Sequence, residues 1–513
     1  MEKATPKHWI PVLLISLYVF ITLSLYTSKM PLFHEEPRRA LVAQEMLQGD
    51  NWVVPTLYQK PYLKKPPLQN WLMALLSAGN GSVTRFSARL VSTLSLIGIG
   101  LVAYLLMLWD NRKLAFAVFI IALTSFLQMC EYGNKIEPDV LITFLTFLSY
   151  AIYIKNPTKV WPIVLSSIFM GLGILTKGLS PIYFYPGILL FHILNKEDRT
   201  RKILMLVAHL ILSLLLPALW LVAYHFNGDI NYLFQNYSSE VSNRTKGEIW
   251  PFLLHIVEYP ARIFFVLFPW TFILVYAFKK IKTMSPVYRS SLFIFIISLI
   301  IFTITPGSRD RYLMPAFPFF AVVAGYHLNA LKIPSKLLRQ FIFGFFAIAG
   351  LSISIYSFMQ GSWIQGVVLL LIPVCSIWFF GKKNNVLAIG TIIILMSLTM
   401  FEHGLYYERA RLRYDYTPTA KLLAAKLDPD LPVVCHRRVS YKLGFQLTGL
   451  IKRPMPMGLM HDYTHYQYIA SKRWIKEDAE VVMTVPFQTN PNGTIYLQIV
   501  KPEVVADSII VDN

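Results

Sequence analysis

The residues best suited to chemistry lie just after the first long apolar run. Two adjacent carboxylates, Glu35 and Glu36, are followed two residues on by Arg38 and Arg39. A carboxylate in that place can take a proton from an acceptor hydroxyl, and a guanidinium beside it can hold a phosphate through paired hydrogen bonds. Residues 40–47 have an amphipathic pattern, which predicts a helix lying on a membrane surface. The acidic pair would then sit at its N-terminus, where the helix dipole favours negative charge. A capped, solvated interfacial helix would read the same way, so both readings stand.

The elements that must carry these groups are membrane spans. Of 513 residues, 55% are hydrophobic and 15% charged, with a mean hydropathy of +0.50, which excludes an ordinary soluble globule and a disordered chain. Apolar runs predict thirteen spans, near 9–28, 90–109, 114–130, 140–154, 160–176, 179–194, 203–226, 263–278, 290–306, 312–331, 340–359, 362–380 and 386–401. The first is followed by polar-to-mixed sequence instead of a small-residue cleavage site, so it reads as an anchor. With the N-terminus inside, every alternate loop is basic, and the inner segments hold 19 of the 48 Lys and Arg residues. With only four acids among them the inner segments carry +15 of the formal +20, so three-quarters of the excess is a topology signal and no nucleic acid partner is expected.

Three segments stand outside the spans. Residues 29–88 and 227–262 are long outer loops, and 402–513 is a polar tail. The tail has strand-like runs at 431–435, 480–485 and 494–500 and a helical run at 418–427, which predict a small extracytoplasmic α/β domain. Loop 227–262 offers Glu240, Arg244, His255 and Glu258 as acceptor contacts, and an interfacial helical lid is the other reading. Asn236 and Asn243 begin glycosylation-type tripeptides of a kind common by chance. His461 and His465 have the spacing of helical metal ligands but read equally as a solvated loop. Cys130, Cys375 and Cys435 make no CxxC, and no disulfide is predicted.

Glu35-Glu36, Arg38, Ala40, Glu45-Met46, Gly49-Asp50, Trp52, Pro55, Tyr62, Lys65-Pro66-Pro67-Leu68 and Trp71-Leu72 occur in that order over about 40 residues. Together they resemble the first extracytoplasmic loop of GT-C glycosyltransferases, in the superfamily of protein O-mannosyltransferases and aminoarabinose lipid A transferases. Downstream, Glu137-Pro138-Asp139 is similar to that family's second acidic position, and Gly171-Leu172-Gly173 to Thr176-Lys177-Gly178 to its glycine-lysine motif. Pro269-Trp270 and Arg311-Tyr312-Leu313, with Pro315 and Pro318, also have counterparts. The resemblance covers residues 1–330.

It implies a polytopic α-helical membrane protein of GT-C type, with about 13 transmembrane helices and a small extracytoplasmic C-terminal α/β domain. The transmembrane catalytic domain would be 1–401 and the C-terminal domain 402–513. The implied activity is inverting transfer of a sugar from a polyprenyl (undecaprenyl) phosphate donor in a bacterial inner membrane. The N-terminus would be cytoplasmic and the tail periplasmic. Lipid A or a related glycolipid is the expected acceptor, with protein O-glycosylation or polysaccharide modification as the alternative. By position, Glu35 and Asp139 are the expected catalytic acids. Glu36, Arg38, Lys65, Lys177, Arg311 and Tyr312 are expected at the donor phosphate or substrate. Glu35 replaces the family's Asp, Arg39 stands where aminoarabinose transferases have Tyr, and Lys64 stands where they have Glu. The last departure argues against carrying over the family's metal site: the sequence gives a divalent metal no support, does not exclude one, and points to no other cofactor.

Elementary chemistry agrees with these roles, because breaking a glycosyl phosphate bond puts negative charge on phosphate that preplaced cations stabilise. Simpler readings remain beside it: Lys177 snorkelling to the interface, Asp139 capping a helix and Arg309 to Arg311 forming a solvated hairpin. A lipid transporter or flippase, the rival from another class, would need mid-membrane charges, broken spans and inverted repeats.

Overall fold

The computed structural model describes residues 9–24, 27, 30–49, 51–108, 111–124, 132–235, 249–267, 270–273, 285–330, scattered positions from 348 to 374, 415–427, 433–436, 441–458, 467–471, 481–490 and 493–500. Four helices and a hairpin open the chain: α1 (Trp9–Ser24), α2 (Glu36–Gly49), β1 (Thr56–Leu57), β2 (Lys60–Pro61), α3 (Leu68–Ser77) and α4 (Arg85–Leu108). Contacts divide the chain into two compact units. One holds 1–27, 90–225 and 229–405; the other holds 28–89, 226–228 and 406–513.

The first unit is helical. Among the described residues, five helices are long and apolar enough to cross a membrane: Arg85–Leu108, Pro138–Lys155, Val160–Lys177, Arg199–Asn227 and Pro286–Thr303. Shorter apolar helices cover Trp9–Ile21 and Ser180–Leu194. These seven fall on expected spans. The helix Ile249–Val266 begins inside the segment read as an outer loop, and most of the last three expected spans lies outside the described residues.

Lipid tails give apolar helices no net reason to associate, so membrane helices rely on close approach and on hydrogen bonds between helices. Both occur here. A Cβ on Gly187 would lie 2.5 Å from the Ile294 backbone, and one on Gly171 would lie 2.8 Å from the Ser213 carbonyl. Around a core of Phe147, Tyr150, Phe184 and Phe319 runs a buried network of neutral polar groups. Tyr153 bonds His192 at 2.8 Å, Tyr185 bonds His209 at 2.9 Å, and Tyr150 bonds Ser290 at 2.7 Å. Scattered His and Tyr in apolar runs gave the sequence reading no signal for this network.

The second unit contains a mixed sheet with order β4-β3-β5-β7-β6, built from Val433–His436 (β3), Met457–Gly458 (β4), Gln467–Ser471 (β5), Val481–Asn490 (β6) and Gly493–Val500 (β7). β3 runs parallel to β4 and β5, and β7 antiparallel to β5 and β6. The strand runs expected in the tail fall in β3, β6 and β7, and its helical run in Thr417–Ala424.

α2 departs from expectation. Residues 40–46 are buried without a break, so this helix is enclosed and does not lie with one face open. Its polar side is satisfied by the protein: Gln44 accepts from the Val83 N–H at 2.7 Å. Glu45 accepts from the Thr56 hydroxyl at 2.7 Å and the Tyr58 and Gln59 N–H groups at 2.5 and 3.1 Å. Burial pushes the Glu45 carboxyl above its usual range, against the pull of those three donors.

Candidate active site

Each unit holds a charged cluster built from the expected residues. In the second unit the chain turns at His34, whose φ of 47° is left-handed, and delivers Glu35 and Glu36 to the start of α2. Glu36 is buried, and its carboxylate is gripped by Arg89 through two parallel bonds of 2.9 and 2.7 Å. Arg89 also donates to the Met30 and Pro31 carbonyls at 3.0 and 2.8 Å, while the Phe33 N–H donates to Glu36 at 2.8 Å. Glu36 is thereby committed to holding the loop in place.

Glu35 differs, since its side chain is 43% exposed and pairs with Arg38 one helical turn on. The Arg38 guanidinium also lies 5.5 Å from the centre of the Tyr62 ring, which fixes its plane. Of the two adjacent acids, Glu35 is therefore the one open to a substrate. Lys65 is half-buried in the short segment between β2 and α3, and Lys64 is exposed.

In the first unit, Glu137 is extended and Pro138 opens the helix, a position that suits a residue lacking an N–H. The turn before it is held by Thr93, which donates to the Gly133 carbonyl at 2.8 Å, and by Thr27, which bonds Asn134 at 2.7 Å. Helices Pro138–Lys155 and Val160–Lys177 are joined by a short turn, so the start of one meets the end of the other. Gly178, at φ 68°, ends the second helix in a conformation that L side chains rarely adopt, leaving Lys177 as its last residue.

There the Lys177 ammonium pairs with Asp139 and lies 4.5 Å from the centre of the Tyr312 ring. Asp139 is 1% exposed, and its carboxylate meets Lys177, so neither plain capping nor snorkelling describes this pair. Arg311 donates to Glu137 at 3.0 Å, and Asp310 lies 3.5 Å from Arg262, which Glu258 also meets at 3.5 Å. Three consecutive residues, Asp310 to Tyr312, are thus tied to three different helices. A cation held between a carboxylate and an aromatic face is preorganised, and an ammonium has three donors, so pairing leaves capacity for an incoming anion.

Of the other candidates, His255 bonds the Phe302 carbonyl at 3.2 Å. Glu240, Arg244, Asn236, Asn243, His461 and His465 lie outside the described residues. Among the described residues no three His, Cys, Asp or Glu side chains converge as metal ligands. Glu35, Glu36, Glu137 and Asp139 are each matched by a cation, a donor set that does not fit a divalent ion. The sequence reading missed Arg89, because an Arg at the head of an apolar run looks like an ordinary interfacial flank.

Helices long and apolar enough to cross a membrane and a mixed sheet thus occur in one chain. The crystal structure of ArnT from Cupriavidus metallidurans bound to undecaprenyl phosphate has this fold, with a TM-score of 0.71 at 17% identity over 96% of this chain and 98% of that one. The family model described as dolichyl-phosphate-mannose-protein mannosyltransferase matches residues 64–221. Undecaprenyl phosphate-alpha-4-amino-4-deoxy-L-arabinose arabinosyl transferase 1 of Proteus mirabilis is 24% identical over 63% of this chain and 61% of its own length. The corresponding transferase of Pectobacterium atrosepticum is 26% identical over 60% of this chain and 57% of its own. The chain thus spans about three fifths of the length of these curated relatives. The ArnT-like GT-C resemblance read from the sequence motifs is borne out.

Proposed function

We propose that this protein transfers a sugar from an undecaprenyl phosphate donor to an extracytoplasmic acceptor, with lipid A or a related glycolipid as that acceptor. The observation that carries the reading is the Asp139–Lys177–Tyr312 cluster, assembled from three motifs picked out of the sequence before any contact was known. The arabinosyl transferase names of the Proteus and Pectobacterium relatives and the undecaprenyl phosphate in the ArnT crystal structure support it.

In the proposed reaction the acceptor oxygen attacks the anomeric carbon from the face opposite the phosphate. The bond from that carbon to the phosphate oxygen breaks, its electron pair leaves with undecaprenyl phosphate, and the anomeric configuration inverts. Lys177 meets the charge left on the phosphate. Arg311 holds Glu137 and so shapes the turn that presents Asp139, whose carboxylate in turn aims Lys177. If the acceptor is a hydroxyl, Glu35 takes its proton. If the acceptor is itself a phosphate, no base is required and Glu35 orients it. The protein acts in the inner membrane of a bacterium, with the N-terminus cytoplasmic and residues 402–513 periplasmic.

The description of the family model, a protein mannosyltransferase, favours a second acceptor class, a protein hydroxyl. Mass spectrometry of lipid A, surface polysaccharide and glycopeptides from a deletion strain separates the two. Loss of one sugar mass from lipid A is expected. Loss from glycopeptides alone would move the acceptor to protein, and three unchanged profiles would overturn the reading.

A further inference from the structure

The second unit contains an internal grip that the reaction does not name. The turn between β1 and β2 is made of Tyr58 and Gln59, with φ of 55° and 61°. Two-residue hairpins of this twist ordinarily use Asn-Gly or Asp-Gly, because a bulky residue is strained at positive φ. Here a tyrosine occupies the strained position, and both turn N–H groups are held by the buried Glu45 carboxylate of α2. The Tyr58 side chain, 2% exposed, reaches the helix Tyr441–Ile451. Its ring centre is 5.7 Å from that of Tyr441, and a Cβ on Gly444 would fall 2.0 Å from its hydroxyl oxygen. One more tie joins the same segments: Gln48 of α2 donates to the Thr448 carbonyl at 3.0 Å. Elsewhere in this unit Arg85 donates to Asp415 and Thr417 at 2.6 Å each.

We propose that Gly444 and Tyr58 are positioning residues: the C-terminal helix Tyr441–Ile451 seats the 56–61 hairpin and, through Glu45, fixes the helix whose first turn bears Glu35 and Arg38. The strain at Tyr58 is the local counterpart of this seat, since a turn with no such partner would not keep a tyrosine there. Gly444 is needed only because the tyrosine tip occupies the place of its Cβ. In a helix interior with room for a Cβ, replacing glycine by alanine stabilises the helix. The role rests on the proposed transferase reading, in which Glu35 meets the acceptor.

The test is size exchange across the contact. In Gly444→Ala the hairpin is pushed from its seat, amide exchange of Tyr58 and Gln59 rises at least tenfold, and kcat for sugar transfer falls tenfold or more with donor KM within twofold. Displacing a reacting group by about 1 Å is enough for such a loss. Adding Tyr58→Leu removes the ring tip and returns both exchange and kcat to within threefold of wild type. Unchanged exchange in Gly444→Ala, or a loss that Tyr58→Leu does not relieve, overturns the proposal. Loosened exchange with unchanged kcat overturns the positioning role. Wild-type protein that transfers no sugar defeats the transferase reading instead, and the exchange arm still decides whether the seat exists.

Discussion

At the scale of single residues, the two adjacent glutamates divide their labour by environment. Glu36 is buried against Arg89, while Glu35 remains partly open and shares Arg38. A buried pair adds little net stability while intact, but deleting one partner strands the other and costs about 3–5 kcal/mol. Arg89→Leu is therefore expected to lower the thermal midpoint of the purified protein far more than Arg39→Leu does. Equal shifts would show that the Glu36 pair is not the anchor. Asp415 gives a pH test. Burial opposes its charge, but hydrogen bonds from Thr417 and Arg85 and the Arg85 charge outweigh it, and its carboxyl is held below the usual value of 3.8. A depressed folded value means stability that is present above pH 3.8 and lost as pH falls through the folded value. The thermal midpoint of Asp415→Asn should lie below wild type at pH 7, with the gap closing as the pH is lowered below 3.8.

Legibility at this scale followed chemistry. Glu35, Asp139, Lys177 and Tyr312 could be picked out because their motifs stand in a familiar order, and the structure brings Asp139, Lys177 and Tyr312 together. Arg89 could not, because nothing in a sequence says that a flanking arginine points inward to a carboxylate 53 residues away.

At the scale of elements, hydropathy alone marked the membrane helices, since a run of apolar residues long enough to span is its own signal. How they lock together was not legible. The Tyr185–His209 and Tyr153–His192 bonds join side chains that are isolated in sequence, and each such bond between membrane helices contributes about 0.6–2 kcal/mol. His209→Leu should lower the thermal midpoint by a few degrees while leaving donor KM unchanged, and a change in KM would move this histidine into substrate binding. Gly187→Val is expected to be harsher, because its side chain would meet the Ile294 backbone, which cannot turn aside. Size-exclusion chromatography should show little monodisperse protein, and a normal yield would contradict the close helix approach. The enclosed α2 shows the opposite limit of pattern reading. Its polar face invites water in sequence, yet Gln44 and Glu45 find their partners in Val83 and the 56–59 segment.

At the scale of the whole molecule, the basic residues divide into the inner segments expected from the positive-inside pattern and the remainder, a few of which meet carboxylates of the motifs. Lys177 and Arg311 come to the acids of the second motif, and Arg38 to Glu35. An ion pair of this kind keeps a cation aimed, and under the proposed transferase reading the same arrangement would serve a phosphate leaving group. Under the proposed reading the substrate is a polyprenyl phosphate sugar. The most direct test of that reading is transfer by the purified protein in proteoliposomes, with an undecaprenyl phosphate sugar as donor and lipid A as acceptor, followed by mass spectrometry of both. One undecaprenyl phosphate should be released for each sugar gained by lipid A, and the rate should fall about a hundredfold or more in Glu35→Gln or Lys177→Met. Absence of transfer by the wild-type protein, or a rate that neither substitution changes, would contradict the reading.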